Sequence, residues 1–246
     1  MSVLVVTGTG TGIGKTVVSA AVCALAVARG SSVAYVKVAQ TGLEAGEPSD
    51  ADEVRRLAGP VETLEGARYD APLSPAAAAR LAGRPAVDLH AVEVVVRTLA
   101  TELALVVVEG AGGLLVRYDE QAATLADLAR ALDAPLLVVT RPGLGALNET
   151  ALTLEAAAAR GLRLDGLVLG SWPAEPGLAE RSNIADLEAL VGRPLAGALP
   201  EGASAAPAFG GLAARSLAPR HGGSFAAGDF RARWRLPPLP PAQEET

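Results

Sequence analysis

The side chains best suited to chemistry in this chain are two lysines and three oxygen donors, all in its N-terminal half. They are Lys15, Thr16, Lys37, Asp50 and Glu109. Hydroxyl and carboxylate oxygens are the ligands that Mg²⁺ prefers, so Thr16, Asp50 and Glu109 are the predicted metal ligands. Two ammonium groups would stabilise charge on a transferring phosphoryl group. No histidine base or cysteine nucleophile accompanies this set, which favours catalysis by positioning and electrostatics.

A phosphate site is predicted at the glycine-rich run of residues 7–16, TGTGTGIGKT. It lies between an apolar strand, residues 3–6, and an Ala-rich helical segment, residues 17–29. Strand, glycine-rich turn, Lys-Thr and helix is the arrangement in which backbone N–H groups surround the phosphates of a nucleotide. The strict spacing is not met, because Thr9 stands where the first glycine should be. The run could be only a tight connection, but a lysine in the first turn of a helix opposes the helix dipole unless an anion is near.

Lys37 and Glu109 each stand at the carboxyl end of a predicted strand, residues 32–39 and 103–108. Ligands of parallel α/β sheets bind at that edge of the sheet. A run of glycines, in residues 110–113, follows Glu109 and permits close approach of a ligand. The alternative for both side chains is a solvated charge at the end of a strand.

Asp50 begins a predicted helix that ends near Ala58. A capping box explains Ser49 and Asp52 completely. It leaves Asp50 available as a functional carboxylate, although complementation of the helix dipole would also account for it. A further helix starts near Gly145, and its first turn carries Asn148 beside unpaired N–H groups, which would suit a carboxylate.

Apolar strands alternate with helices along the whole chain, which predicts a mostly parallel sheet with helices on both faces. We expect one P-loop NTPase-like α/β domain over residues 1–203. Residues 204–235 are expected to form a helical or irregular extension of it, and residues 236–246 a flexible Pro-rich tail. Right-handed crossovers then bring the strand-end residues to one edge. The helical region of residues 74–102 is assigned no chemistry.

Composition excludes several classes of function. The chain has 246 residues, half of them hydrophobic, with a net charge of −6. The acidic balance argues against binding to nucleic acid or to an anionic membrane. The lone Cys23 and the two distant histidines, His90 and His221, offer no disulfide framework or metal cluster. We expect a cytoplasmic protein, since the sequence shows no targeting segment and no bilayer-spanning apolar run.

Five separated motifs, spread over about 200 residues, resemble the dethiobiotin synthetase family. They are residues 8–16, residues 37–42, Asp50, residues 109–113, and residues 143–145 with Asn148. The resemblance implies that 7,8-diaminononanoate takes up CO2 (or bicarbonate) as a carbamate. ATP then phosphorylates the carbamate, and the second amine closes the ureido ring. It also implies a homodimer with the active site near the interface.

The resemblance assigns a role to each group of residues. The implied catalytic residues are Lys37, Lys15 and Thr11. The implied nucleotide site comprises Gly12, Ile13, Gly14, Lys15, Thr16, Val17, Asp50, Glu109, Gly110, Ala111, Gly112, Gly170, Ser171, Pro200, Glu201 and Gly202. The implied substrate site comprises Thr41, Gly145, Ala146, Leu147 and Asn148.

The chain departs from the family pattern at the strand end that reads the nucleotide base. Many family members carry an asparagine there, whereas this chain has Gly170, Ser171 and Trp172. A serine cannot offer a paired donor and acceptor to a base edge. We therefore expect weakened selectivity for ATP and use of other nucleoside triphosphates.

Two other functions are considered. A partitioning-type ATPase would carry a second lysine early in the loop, where this chain has Gly10, and would favour a basic or amphipathic surface. The synthetase half of an amidoligase shares the fold, but it would need a glutaminase domain with a cysteine nucleophile. The roughly 40 C-terminal residues contain no cysteine.

Overall fold

The computed structural model describes residues 2–44 and 46–236, so most of the predicted Pro-rich tail lies outside the described residues. The strands are β1 (Ser2–Gly8), β2 (Val33–Lys37), β3 (Gln40–Thr41), β4 (Glu62–Glu65), β5 (Arg68–Tyr69), β6 (Leu105–Glu109), β7 (Leu136–Thr140), β8 (Leu164–Trp172) and β9 (Gly197–Pro200). The helices are α1 (Lys15–Ala28), α2 (Asp50–Ala58), α3 (Pro75–Ala82), α4 (Leu89–Glu102), α5 (Leu125–Ala131), α6 (Ala146–Ala158), α7 (Leu178–Val191), α8 (Phe209–Ser216) and α9 (Ala227–Trp234).

Seven strands form one sheet in the order β4-β2-β6-β1-β7-β8-β9. Neighbouring strands in it pair in parallel. β3 and β5 form a second, two-stranded parallel sheet. The predicted α/β class, with one mostly parallel sheet, is confirmed.

The sheet is covered on both faces because its strands are apolar on both sides. Leu4 and Val6 face a core shared with α1, α2 and α8, whereas Val5 faces a second core that includes side chains of α4, α5 and α7. This alternation of successive side chains is the period of two that a strand imposes. The first of these cores packs α1 against the face that carries Tyr35 and Val107.

The edge strand β4 was not predicted. Its sequence, Glu62-Thr63-Leu64-Glu65, has one apolar residue and two glutamates, so it lacks the apolar run that marks a buried strand. It pairs on one side with β2, and Glu65 lies opposite Lys37 in the register. A polar, short strand is acceptable at the edge of a sheet, where only one side of the ladder is paired.

The C-terminal region packs onto the sheet domain through aromatic side chains. Phe230 and Trp234 of α9 lie 4.9 and 5.7 Å, between ring centroids, from Trp172 at the end of β8. α8 packs against α1. Of the helices in the described part of the chain, none is both long enough and apolar enough to cross a membrane.

The backbone of the glycine-rich loop packs directly against the end of β8. The Cβ that an alanine would add at Gly170 overlaps the carbonyl oxygen of Ile13, and one at Gly14 overlaps the carbonyl oxygen of Gly170. Gly14 also has φ +91°, in the left-handed region that favours glycine. Two glycines thus allow the loop backbone and the β8 backbone to touch.

We expect Gly170→Ala to lower the free energy of unfolding by about 1–3 kcal/mol, because the methyl group must displace the loop backbone. Gly210→Ala is the matched control. Apart from its own helix, no described residue lies within 4 Å of an added Cβ at Gly210 in α8, so this change should be neutral or stabilise by up to about 1 kcal/mol. Urea unfolding of both variants measures the difference. Equal stability of the two variants would contradict the close contact.

Candidate nucleotide and phosphoryl-transfer site

The phosphate loop joins β1 to α1 and places Lys15 as the first residue of the helix. The Lys15 side chain is buried, and its Nζ donates a hydrogen bond to the carbonyl oxygen of Gly10 at 2.6 Å. The Lys15 side chain therefore lies along the loop, as expected for an ammonium group that binds the phosphates of a nucleotide. Burial lowers the pKa of Lys15 to about 8; the Glu109 carboxylate opposes this effect and the Lys37 ammonium adds to it.

Lys37 and Glu109 meet because their strands are neighbours. They are register partners in the parallel pair of β2 and β6, so both side chains point to the face covered by α1. Lys37 Nζ lies 2.7 Å from Glu109 Oε1 and 2.5 Å from Asp50 Oδ2. One ammonium group therefore bridges the two carboxylates that the sequence singled out.

Lys37 and Glu109 are almost completely buried, whereas Asp50 is partly exposed. Burial alone would lower the pKa of this lysine, but the carboxylates of Glu109 and Asp50 outweigh it and raise the pKa above its ordinary value. Lys37 is therefore charged at neutral pH in the absence of ligands. Lys15 and Lys37 are the only lysines in the chain, and the other basic residues are arginines or the two histidines.

Glu109 is fully buried and accepts hydrogen bonds from two hydroxyl groups of α1. Thr16 Oγ1 donates to Oε1 at 2.9 Å, and Ser19 Oγ donates to Oε2 at 2.6 Å. Ser19 was not singled out from the sequence. Its position three residues after Thr16, on the same face of a helix, is the signal that could have found it.

Asp50 is held at the start of α2 by groups on both sides of it. Ser49 and Asp52 form the predicted capping box, with Asp52 N donating to Ser49 Oγ at 3.2 Å and Ser49 N to Asp52 Oδ2 at 3.0 Å. The Gln40 side chain accepts a hydrogen bond from Asp50 N at 3.2 Å. The Asp50 carboxylate is thus not used by the cap and points to Lys37.

These residues surround a cavity of about 830 Å³. Its walls are Thr11, Gly12, Ile13, Gly14, Lys15, Thr16, Val17, Lys37, Ala39, Gln40, Thr41, Gly42, Asp50, Pro72, Leu73, Ser74, Pro75, Glu109, Ala111, Gly112 and Val116. Residues 72–75, at the start of a region to which the sequence assigned no chemistry, form one wall of this cavity. This wall reaches the cavity because β3 pairs with β5. The sequence around residues 72–75 contains no pattern that predicts this pairing.

The glycine loop after β6 is held by a residue that the sequence did not reveal. Ala111 N donates to the Tyr118 hydroxyl at 2.7 Å, and Tyr118 is fully buried. Burial is the main reason that the pKa of Tyr118 rises to about 12. The neutral hydroxyl is therefore a stable acceptor that fixes the backbone of this wall.

Three predicted segments and Gly110 lie outside the cavity walls. Gly170 and Ser171 lie beside the turn of residues 200–202, and Glu201 N donates to the Trp172 carbonyl oxygen at 2.8 Å. Gly170 also packs against the phosphate loop at Ile13 and Gly14. Residues 145–148 form the start of α6, with Asn148 exposed, and do not line the cavity described above. Their binding roles remain predictions.

The donor set fits Mg²⁺ better than a softer metal. Within residues 2–44 and 46–236 there is no group of three or more His, Cys, Asp or Glu side chains that could hold a metal by itself. Thr16, Asp50 and Glu109 offer one hydroxyl and two carboxylates. Hard oxygen ligands completed by phosphate oxygens and water are the usual surroundings of Mg²⁺.

The fold and the phosphate loop define a P-loop nucleotide-binding protein. A family model described as an AAA domain matches residues 2–208. Among solved structures, a ParA family ATPase from Chlorobium tepidum TLS has a TM-score of 0.54 at 16% identity, covering 94% of this chain and 98% of that one. This similarity concerns the fold alone.

The curated relatives share far more of their sequence with this chain than that ParA family structure does. An ATP-dependent dethiobiotin synthetase of Parafrankia sp. (strain EAN1pec) is 60% identical over 238 residues, covering 96% of this chain and all of the relative. The ATP-dependent dethiobiotin synthetase of Streptomyces avermitilis is 56% identical over 232 residues, covering 94% of this chain and 98% of the relative. The chain belongs to the ATP-dependent dethiobiotin synthetase family.

The two lysines should titrate separately, because one is desolvated and the other is ion-paired. With ¹³C-labelled lysine, we expect one of the two Cε signals to titrate near pH 8 and the other to stay charged at that pH. Bound phosphates favour the ammonium form, so ADP should move the first midpoint upward, with uptake of a proton near pH 8. NMR titration with and without ADP measures this. Two coincident midpoints near the ordinary lysine value of about 10.4 would contradict it.

Proposed function

We propose that the chain converts 7,8-diaminononanoate, CO2 and ATP into dethiobiotin, ADP and phosphate, in biotin synthesis. One amine of the substrate adds to CO2, which forms a carbamate and releases a proton. A carbamate oxygen attacks the γ-phosphorus of ATP and ADP leaves. The second amine then attacks the carbonyl carbon and loses a proton, the ureido ring closes and phosphate leaves. Membership of the synthetase family supports this reaction.

The observation that carries the proposal is the convergence of both lysines and both carboxylates on one cavity. The reaction passes anionic groups between partners that are already nucleophilic, so it needs positive charge and alignment more than an acid or base. In this proposal Lys15, at the N-terminus of α1, binds the phosphates of ATP. Lys37 binds the carbamate and the transferring phosphoryl group, and the Thr11 and Thr41 side chains, which line the same cavity, assist it.

Lys37 is buried and ion-paired before any ligand binds. Without ligands its charge is neutralised by Asp50 and Glu109 at 2.5 and 2.7 Å. When bound, Mg²⁺ would supply a Lewis acid that neutralises phosphate charge, held by Thr16, Asp50 and Glu109. When Asp50 or Glu109 binds another cation instead of Lys37, ammonium hydrogens of Lys37 become available to the substrate.

We further propose that the active form is a homodimer in which the first turn of α6 binds the substrate carboxylate. This turn is not part of the cavity wall within its own chain, whereas its N–H groups suit a carboxylate. Leu144, directly before it, is 88% exposed, and Leu178 at the start of α7 is also exposed. Large exposed apolar side chains at two neighbouring helix starts favour a protein interface there. The cytoplasmic location stays a prediction.

The partitioning-type ATPase and the amidoligase are not favoured. The ParA-type structure shares the fold at 16% identity, whereas the synthetases share up to 61% of their residues over nearly the whole chain. Gly10 also leaves the phosphate loop without a second lysine in its early part.

Phosphate release with ATP and Mg²⁺ should depend on 7,8-diaminononanoate plus bicarbonate and should match dethiobiotin formed, one to one. Lys37→Met should abolish the diamine-dependent turnover, whereas Arg97→Met, on the exposed side of α4, should leave it unchanged. Sedimentation of the same preparation should show a dimer. Turnover that ignores the diamine would refute the synthetase, and a fully active monomer would refute only the shared site.

Nucleotide selectivity should be weak because Ser171 stands in place of the base-reading asparagine that many family members carry. We expect kcat/KM for CTP or GTP to lie within about tenfold of that for ATP, since a single hydroxyl distinguishes base edges poorly. Ser171→Asn should shift the ratio toward ATP. A preference for ATP of about a thousandfold in the parent chain would contradict this expectation.

A further inference from the structure

Beneath the cavity lies a buried layer of polar side chains that the proposed reaction does not use. Ser19 of α1 and Tyr35 of β2 are both fully buried on the side of the sheet that carries Glu109. Ser19 Oγ donates to Glu109 Oε2 at 2.6 Å. The Tyr35 hydroxyl belongs to a residue that pairs with Val107, two residues before Glu109 on the same face of the sheet. Among the described residues it makes no hydrogen bond of good geometry. Burial and the nearby Glu109 carboxylate raise the pKa of Tyr35.

The hydrogen bonds to Glu109 are divided between its two oxygens. Oε1 accepts from Thr16 at 2.9 Å and from Lys37 at 2.7 Å, whereas Oε2 accepts from Ser19. The terminal torsion of a glutamate is broad, so rotamer preference alone does not hold the carboxylate in one orientation. The orientation therefore depends on which donors stay in place.

Of these three donors, only Ser19 is remote from the cavity. Thr16 and Lys37 both line it, and both would exchange partners when nucleotide and substrate bind. Ser19 is fully buried and does not line the cavity. Its hydrogen bond to Oε2 is thus the contact that can persist through the reaction.

We propose that Ser19 is a positioning residue that fixes the Glu109 carboxylate with Oε1 facing the cavity. Thr16 and Ser19 lie three residues apart on α1, so the helix holds the cation ligand Thr16 and the anchor of Glu109 in one rigid piece. The unpartnered Tyr35 hydroxyl is the competing donor. In the Ser19→Ala variant we expect this hydroxyl to compete with Thr16 and Lys37 for the Glu109 carboxylate.

The test measures binding of Mn²⁺, as a probe for a divalent cation, to the intact chain with ADP, by electron paramagnetic resonance. We expect Ser19→Ala to weaken Mn²⁺ binding by about tenfold, the usual effect of removing a group that orients a metal ligand. Binding of ADP in EDTA should stay within about twofold. Ser216→Ala, which removes a buried hydroxyl from α8, is the control and should leave both constants unchanged.

Two further comparisons separate positioning from packing. Ser19→Thr and Ser19→Val have nearly the same shape and differ by a hydroxyl, so only the valine variant should lose Mn²⁺ affinity even if both are less stable. Adding Tyr35→Phe to Ser19→Ala should recover part of the affinity, because it removes the competing donor. Equal Mn²⁺ affinity of the threonine and valine variants would overturn the proposal.

This inference rests on the proposed function only in treating Glu109 as a cation ligand. The Mn²⁺ measurement needs no diamine and no turnover, so it can succeed where the synthetase assay fails. With wild-type turnover established, Ser19→Ala should raise the Mg²⁺ concentration for half-maximal rate by about tenfold while changing kcat less. A fall in kcat at unchanged Mg²⁺ requirement would contradict the positioning role.

Discussion

The buried pair of Lys37 and Glu109 is the interaction on which the rest of the site depends. Removing one partner of such a pair costs about 3–5 kcal/mol, because the other charge is left buried and uncompensated. Here the pairing follows from the register of β2 and β6, in which the two residues lie side by side. A slip of one residue would turn one of them to the opposite face of the sheet. The register of the sheet core therefore fixes the chemistry at its edge.

Around this pair the charges balance without any ligand. Lys15 and Lys37 face Asp50 and Glu109, and the two lysines respond in opposite directions to their surroundings. Desolvation lowers the pKa of Lys15, whereas two carboxylates raise the pKa of Lys37. Lys15, at the end of the phosphate loop, is thus the cation without a close carboxylate partner among the described residues. The phosphates of a nucleotide can supply the negative charge that it lacks. The deeper lysine remains paired until its carboxylates take other partners.

Uncharged groups do most of the positioning. Gln40 holds the first N–H of α2 and so places Asp50, Tyr118 holds the backbone at Ala111, and Ser19 holds Glu109. At Gly170 the absence of a side chain lets the phosphate loop rest on β8. The Gln40, Ser19 and Gly170 contacts join different elements, whereas the Tyr118 contact braces one loop. A change at any of them would alter the site without touching a charged residue.

The sequence by itself determined the α/β class, the phosphate loop, the capping box of α2 and the residues Lys37, Asp50 and Glu109. These features are local: apolar runs, glycine spacing and polar residues at strand ends reflect propensities within a few neighbours. Only the tertiary structure decided the strand order, the polar edge strand β4, the wall of residues 72–75 and the anchors Ser19 and Tyr118. Ser19 meets Glu109 from a distant part of the chain, and Tyr118 meets Ala111 through the fold of one loop. A single serine or tyrosine carries no local sign of which group it will contact.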